Sequence, residues 1–136
     1  MSETGIELGA AELEILRALW DVGPATVRQV MNHLHERGRE LAYTTVQTML
    51  TRLEQKGFAV SNKADLAYVY RARVSRERMS RSRLKVLAHQ LYDGSAGPLV
   101  LQLVRSERLT PQELAELQAL IERLDGKDRN TGRQRR

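Results

Sequence analysis

Residues Tyr43 to Gly57 read YTTVQTMLTRLEQKG. Val46, Met49, Leu50 and Leu53 recur at the three-and-four spacing of one helical face, while Thr44, Gln47, Thr48, Thr51, Arg52 and Gln55 fall on the other. The first face is core; the second is short, polar and uncharged apart from Arg52. A helix face that meets only solvent usually carries Lys and Glu, which are good helix formers. Four threonines between Thr44 and Thr51 instead cost propensity, because each is β-branched. Small hydroxyls with a methyl, interleaved with amides and an arginine, suit a helix in the major groove of duplex DNA. There Thr touches a thymine methyl or a phosphate, and Gln pairs with adenine. Tyr43, Thr44, Thr45, Gln47, Thr48, Thr51 and Arg52 are therefore the candidate DNA contacts of this helix. The competing reading is a surface helix whose threonines cluster by chance.

Upstream, AAELEILRALWDVG places Leu13, Ile15, Leu16, Leu19 and Trp20 on a helical face that Gly23 and Pro24 stop. Glu12 and Glu14 sit in its first turn, where the helix dipole favours negative charge. A second helix runs from a Thr26 N-cap to Arg37, with Val27, Val30, Met31 and Leu34 at helical spacing and Gly38 as terminator. Arg39 to Ala42 leaves room for a brief extended segment. Downstream, Gly57 stands where a helix-ending left-handed residue is usual. FAVSN and LAYVYRARV, around a polar NKAD turn, then read as a β-hairpin. Helix, helix, helix, hairpin is the order of a winged helix-turn-helix domain, whose third helix enters the major groove with the hairpin beside it. The expected fold is mainly α with a small β-hairpin: a flexible start over 1–8, then a winged-helix DNA-binding domain over 9–74.

From Ser75 the texture changes. SRERMSRSRLKVLAHQLYDG has a basic first half and an apolar second half, with Leu84, Val86, Leu87 and Leu91 before Gly94 ends it. AGPLVLQLVRS is nearly continuous in Leu99, Val100, Leu101, Leu103 and Val104, and a helix apolar all round is expected to be buried. TPQELAELQALIERL opens with a capping-box signature, Thr110, Pro111 and Glu113, and carries a stripe of Leu114, Leu117, Leu120, Ile121 and Leu124. Three helices of about fifty residues in all hold too little internal core to stand alone. Residues 75–124 therefore read as a helical dimerisation region in which Leu84, Leu87, Leu91, Leu99, Leu101, Leu103, Leu114, Leu117, Ile121 and Leu124 meet a second copy. Residues 125–136 are polar and basic and read as a disordered tail.

The whole composition agrees with a folded, cytoplasmic protein. With 41% hydrophobic and 29% charged residues in a chain of 136, one domain or one domain plus an appendage is expected. A net charge of +5 favours an anionic partner, either nucleic acid or a membrane surface. The absence of cysteine excludes disulfides, thiolate metal sites and thiol chemistry. No segment approaches the apolar length of a membrane span, so no membrane insertion is expected. His33, His35 and His89 do not share a face, so they form no ligand cluster, and no metal or cofactor is expected. Arg71, Arg73, Arg76, Arg78, Arg81, Arg83 and Lys85 face one acid, Glu77. Some of them are a solvated face, and two or three are candidates for phosphate contact beside the hairpin. With no Gly-rich phosphate loop and no nucleophile constellation, an enzyme is the weakest class. A protein-interaction module on the same scaffold is the alternative to a DNA-binding repressor, but it leaves the charge and the threonines unexplained.

LEILRALWDVGPATVRQVMNHL, AYTTVQTMLTRLEQKG and the hairpin ending AYVYRARVSRE together resemble the penicillinase-repressor family of winged-helix transcriptional regulators, the group of β-lactamase, methicillin-resistance and copper-responsive repressors. The resemblance covers Leu8 to Leu124. It implies a homodimer that covers a palindromic double-stranded operator and blocks transcription, with the third helix and the wing on DNA and intertwined C-terminal helices. Wings of this group often carry a Gly-Arg pair where this chain reads Lys63, Ala64, Asp65 and Leu66, which makes Lys63 the candidate wing contact. Copper-responsive members carry C-terminal cysteine pairs, which are absent here. Antibiotic-responsive members are cut by a membrane-sensor protease at an Asn-Phe bond in the apolar C-terminal helix, and the matching position here is Gln102 and Leu103.

Overall fold

The computed structural model describes residues 7–64 and 66–134, with Ala64 and residues 128–134 described by backbone alone. In chain order the elements are α1 (Ala10–Val22), α2 (Val27–Glu36), α3 (Tyr43–Gln55), β1 (Ala59–Ala64), β2 (Ala67–Ala72), α4 (Arg76–Tyr92), α5 (Ala96–Ser106) and α6 (Pro111–Gln134). They form two compact units, Met1–Gly94 and Ser95–Arg136.

The first unit closes around the predicted helical faces. Ile15, Leu16 and Leu19 of α1, Val30 of α2 and Val46, Leu50 and Leu53 of α3 are fully buried, and Phe58 seals them from the strand side. Thr26 caps α2 with a reciprocal box: its hydroxyl accepts from the Gln29 amide at 3.2 Å, while its own amide donates to Gln29 Oε1 at 2.8 Å. Gly57 leaves α3 with φ +86°, the left-handed exit the sequence implies, and the Phe58 amide returns to the Leu53 carbonyl.

The sheet differs from expectation in two ways. Its strands are antiparallel and run in register from Ala59↔Ala72 to Ala64↔Ala67. Lys63 therefore lies within β1 opposite Tyr68, so the pairing extends into the expected NKAD turn. The strand-like residue that joins this pair is also not in 39–42. It is Ala25, between α1 and α2, which exchanges hydrogen bonds of 2.9 and 2.8 Å with Tyr70. Alanine carries no strand signature, so only tertiary pairing reveals it.

α4 packs with this unit rather than beginning a separate one, so the division falls after Gly94 and not after Val74. Met79 is buried in the same core as α1 and α3. The Trp20 indole N–H donates to the Val74 carbonyl at 2.8 Å. In the second unit, Thr110 and Glu113 form the expected capping box, with bonds of 2.8 and 3.0 Å. The Thr110 backbone amide, which donates to the Glu113 carboxylate, leads in holding that carboxyl below its ordinary range, and the Thr110 side chain adds to it.

α6 continues past the expected end at Leu124 to Gln134, in place of the disordered tail expected from Asp125. Extending a nucleated helix fixes one residue per added hydrogen bond, which costs far less than starting a new one. The expected loose start at 1–8 falls mostly outside the described residues, as does the tail's end at 135–136.

Candidate nucleic-acid interface

The helical period that buries Val46, Leu50 and Leu53 leaves Tyr43, Thr44, Gln47, Thr48, Thr51, Arg52 and Gln55 exposed along one side of α3. Thr45 is half-buried and belongs to the boundary of the core. Thr51 is exposed but engaged: its hydroxyl donates to the Gln47 carbonyl at 3.0 Å and shares a side-chain hydrogen bond with Tyr70. Burial raises the Tyr70 hydroxyl above its ordinary pKa, so it stays protonated. Thr51 thus holds the helix to the sheet, whereas Gln47 and Thr48 project without such a tie. Glu54, the acid near this side among the described residues, is also occupied. Its Oε2 accepts from the Ser61 amide at 3.0 Å and the Ser61 hydroxyl at 2.7 Å, which fixes β1 against the end of α3.

Strand alternation orients the wing. Ser61↔Tyr70 and Lys63↔Tyr68 are cross-strand pairs two residues apart, so their side chains leave the same sheet face. Ser61 and Tyr70 use that face to meet α3. Lys63 and Tyr68 continue it outward, both exposed, toward a tip where Leu66 is 97% exposed. The wing therefore presents a cation and an aromatic ring on the side of α3.

Charges are sorted across the unit. Asp21 receives Arg76 at 2.8 Å, Arg37 at 3.1 Å and His33 at 3.5 Å, and the Arg76 hydrogen bond leads in holding its carboxyl below the usual aspartate range. Arg39 meets Glu14 at 2.9 Å, and Lys56 spans both oxygens of the buried Glu12 at 3.0 and 2.7 Å. Arg52 and Lys63 enter none of these pairs. Sequence inspection located the polar helix face but missed Tyr68, the Asp21 hub and an aromatic contact in which Arg28 of α2 lies over the Tyr43 ring, 5.6 Å from its centroid. The alternation of AYVY carried a signal for Tyr68; the other two depend on which helices meet.

The candidate dimerisation residues are placed separately in each unit. On α4, Leu84, Leu87 and Leu91 are exposed, as is Val86. In the second unit, Leu101, Leu103, Leu114, Ile121 and Leu124 are exposed, Leu117 is half-buried, and Leu99 is buried within the single chain. Within the single chain α5 is not buried all round: Val100, Leu101, Leu103 and Val104 are 39 to 52% exposed. Gln102 and Leu103 lie in the middle of α5, and Pro98 lies inside its first turn, where a missing amide breaks no helical bond.

Among the described residues no group of His, Asp and Glu is arranged to hold a metal ion, and no helix is long and apolar enough to cross a membrane. Three helices closed by a hairpin, with an acid-free polar face on the third, define a winged helix-turn-helix DNA-binding protein. The chain belongs to the Penicillinase repressor family, which it matches over residues 8–123. It is 22% identical to the penicillinase repressor of Staphylococcus aureus over 121 residues, covering 89% of this chain and 95% of that one. Identity is 26% with the methicillin resistance regulatory protein MecI of Mammaliicoccus sciuri, over 89% of this chain and 98% of the relative. Among solved structures, the DNA binding domain of the repressor BlaI in solution is 26% identical over 53% of this chain and 87% of its own, with a TM-score of 0.46.

Proposed function

We propose that two copies of this DNA-binding transcriptional repressor associate through their C-terminal helices and occupy a palindromic operator in the cytoplasm, acting by occupancy rather than by catalysis. The observation that carries this reading is the exposed side of α3: Gln47, Thr48 and Arg52 project together, free of acids, beside a wing that offers Lys63 and Tyr68 on the same side. Thr48 and Gln47 read base edges, while Arg52 and Lys63 hold phosphates. Two exposed cations, Arg71 of β2 and Arg73 just after it, extend the attraction along the backbone. Two-fold symmetry spaces the half-sites by about one helical turn of DNA, roughly 10 base pairs, or a multiple of it. Release follows cleavage of α5 between Gln102 and Leu103 by a membrane-sensor protease, which removes the apolar surface that holds the pair together.

A gel shift with the DNA upstream of the chain's own gene tests the reading. Thr48→Ala is expected to lose about 1 to 3 kcal/mol of discrimination between operator and scrambled duplex. Arg52→Ala is expected to weaken both duplexes alike and to lower the salt slope by about 1. Wild-type behaviour in both variants would mean that another surface meets DNA.

A further inference from the structure

Arg28 stands in the first turn of α2, where the helix dipole disfavours a cation, so its place is not explained by helix stability. Its guanidinium lies over the Tyr43 ring at 5.6 Å, which brings the start of α2 to the start of α3. Both side chains are exposed. Arg37, Arg39 and Arg76 are each held by a carboxylate at 3.1, 2.9 and 2.8 Å, yet Arg28 enters no such ion pair among the described residues. The exposed side of α3 has its one cation, Arg52, near the C-terminal end, so the N-terminal end of that helix lacks a phosphate anchor of its own. A helix preceding the reading helix crosses the DNA backbone at that end.

We infer that Arg28 is a phosphate contact of the DNA complex and that Tyr43 is its positioning residue. A guanidinium stacked on a ring keeps its in-plane N–H donors free for two phosphate oxygens, and the ring limits the rotamers that would otherwise be lost on binding. A carboxylate partner would take up those same donors. The inference rests on the placement of α3 in the groove.

The test is a titration of the full-length protein with upstream duplex and with a scrambled duplex over a range of salt. Arg28→Gln is expected to weaken both alike, about 5- to 10-fold, and to lower the salt slope by about 1, without lowering the thermal midpoint. Tyr43→Phe keeps the ring and is expected to lose less affinity than Tyr43→Ala, in whose background Arg28→Gln costs less than in the wild type. The inference is overturned by unchanged affinity and slope in Arg28→Gln, by Tyr43→Phe losing as much as Tyr43→Ala, or by independent addition of the two losses. Arg52→Ala separates the layers. If it weakens binding while Arg28→Gln does not, this inference alone fails; if neither does, the placement of α3 fails with it.

Discussion

At Asp21 one carboxylate faces two guanidiniums and an imidazole, from Arg37, Arg76 and His33, and so joins α1 to α2 and to the start of α4. Folding favours its ionised form, since the carboxyl lies below its ordinary value of 3.8. Its contribution is therefore complete above that value and disappears as pH falls through the depressed folded one. Asp21→Asn is expected to lower stability by up to about 1 kcal/mol near neutral pH, because exposed pairs are individually weak. Urea midpoints of the variant and the wild type should converge as pH falls below the depressed folded value, and a constant difference would contradict the assignment. Residues of this kind are hard to see in a sequence. The period of α3 announces that Thr48 and Thr51 share an exposed side, but not that Thr51 is tied to Gln47 and Tyr70 while Thr48 is not. That distinction arises where a strand some twenty positions away comes back against the helix.

Helix starts and stops were the most legible elements, because their signals are local. Thr26, Gly38, Gly57 and Thr110 each act within a few residues of where they stand. Ala25 as a strand partner and the pairing as far as Ala64↔Ala67 were not legible, since both depend on which segments pair. The hydrophobicity of α5 states what the helix prefers, not how many neighbours one chain provides, so its exposure within the single chain was not legible. For α5 the consequence is testable. A bond in mid-helix is protected until the segment opens, so the proposed cut at Gln102 and Leu103 requires a protease that captures opened α5. Mass spectrometry of the protein recovered during induction of its target gene should show a fragment ending at Gln102. Operator release with the chain intact would eliminate cleavage as the trigger.

For the whole molecule, the exposed Leu101, Leu103, Leu114, Ile121 and Leu124 are the largest debt to solvent in the second unit. Covering the half of each side chain that is still exposed contributes about 1 kcal/mol, roughly half the value of full burial, and the sum over both copies favours pairing. Leu101→Glu is expected to shift sedimentation at micromolar concentration from dimer to monomer. It should also reduce operator affinity about 10² to 10⁴-fold, since the second half-site is then no longer bound intramolecularly. A wild-type chain that sediments as a monomer would refute the pairing. Trp20, lastly, is the only tryptophan in the chain. Its indole N–H is fixed to the Val74 carbonyl and Arg76 lies 5.3 Å above the ring. The protein's ultraviolet emission therefore comes from one fluorophore seated where α4 leaves the wing, and its colour and quenching report, without any label, whether that joint is closed.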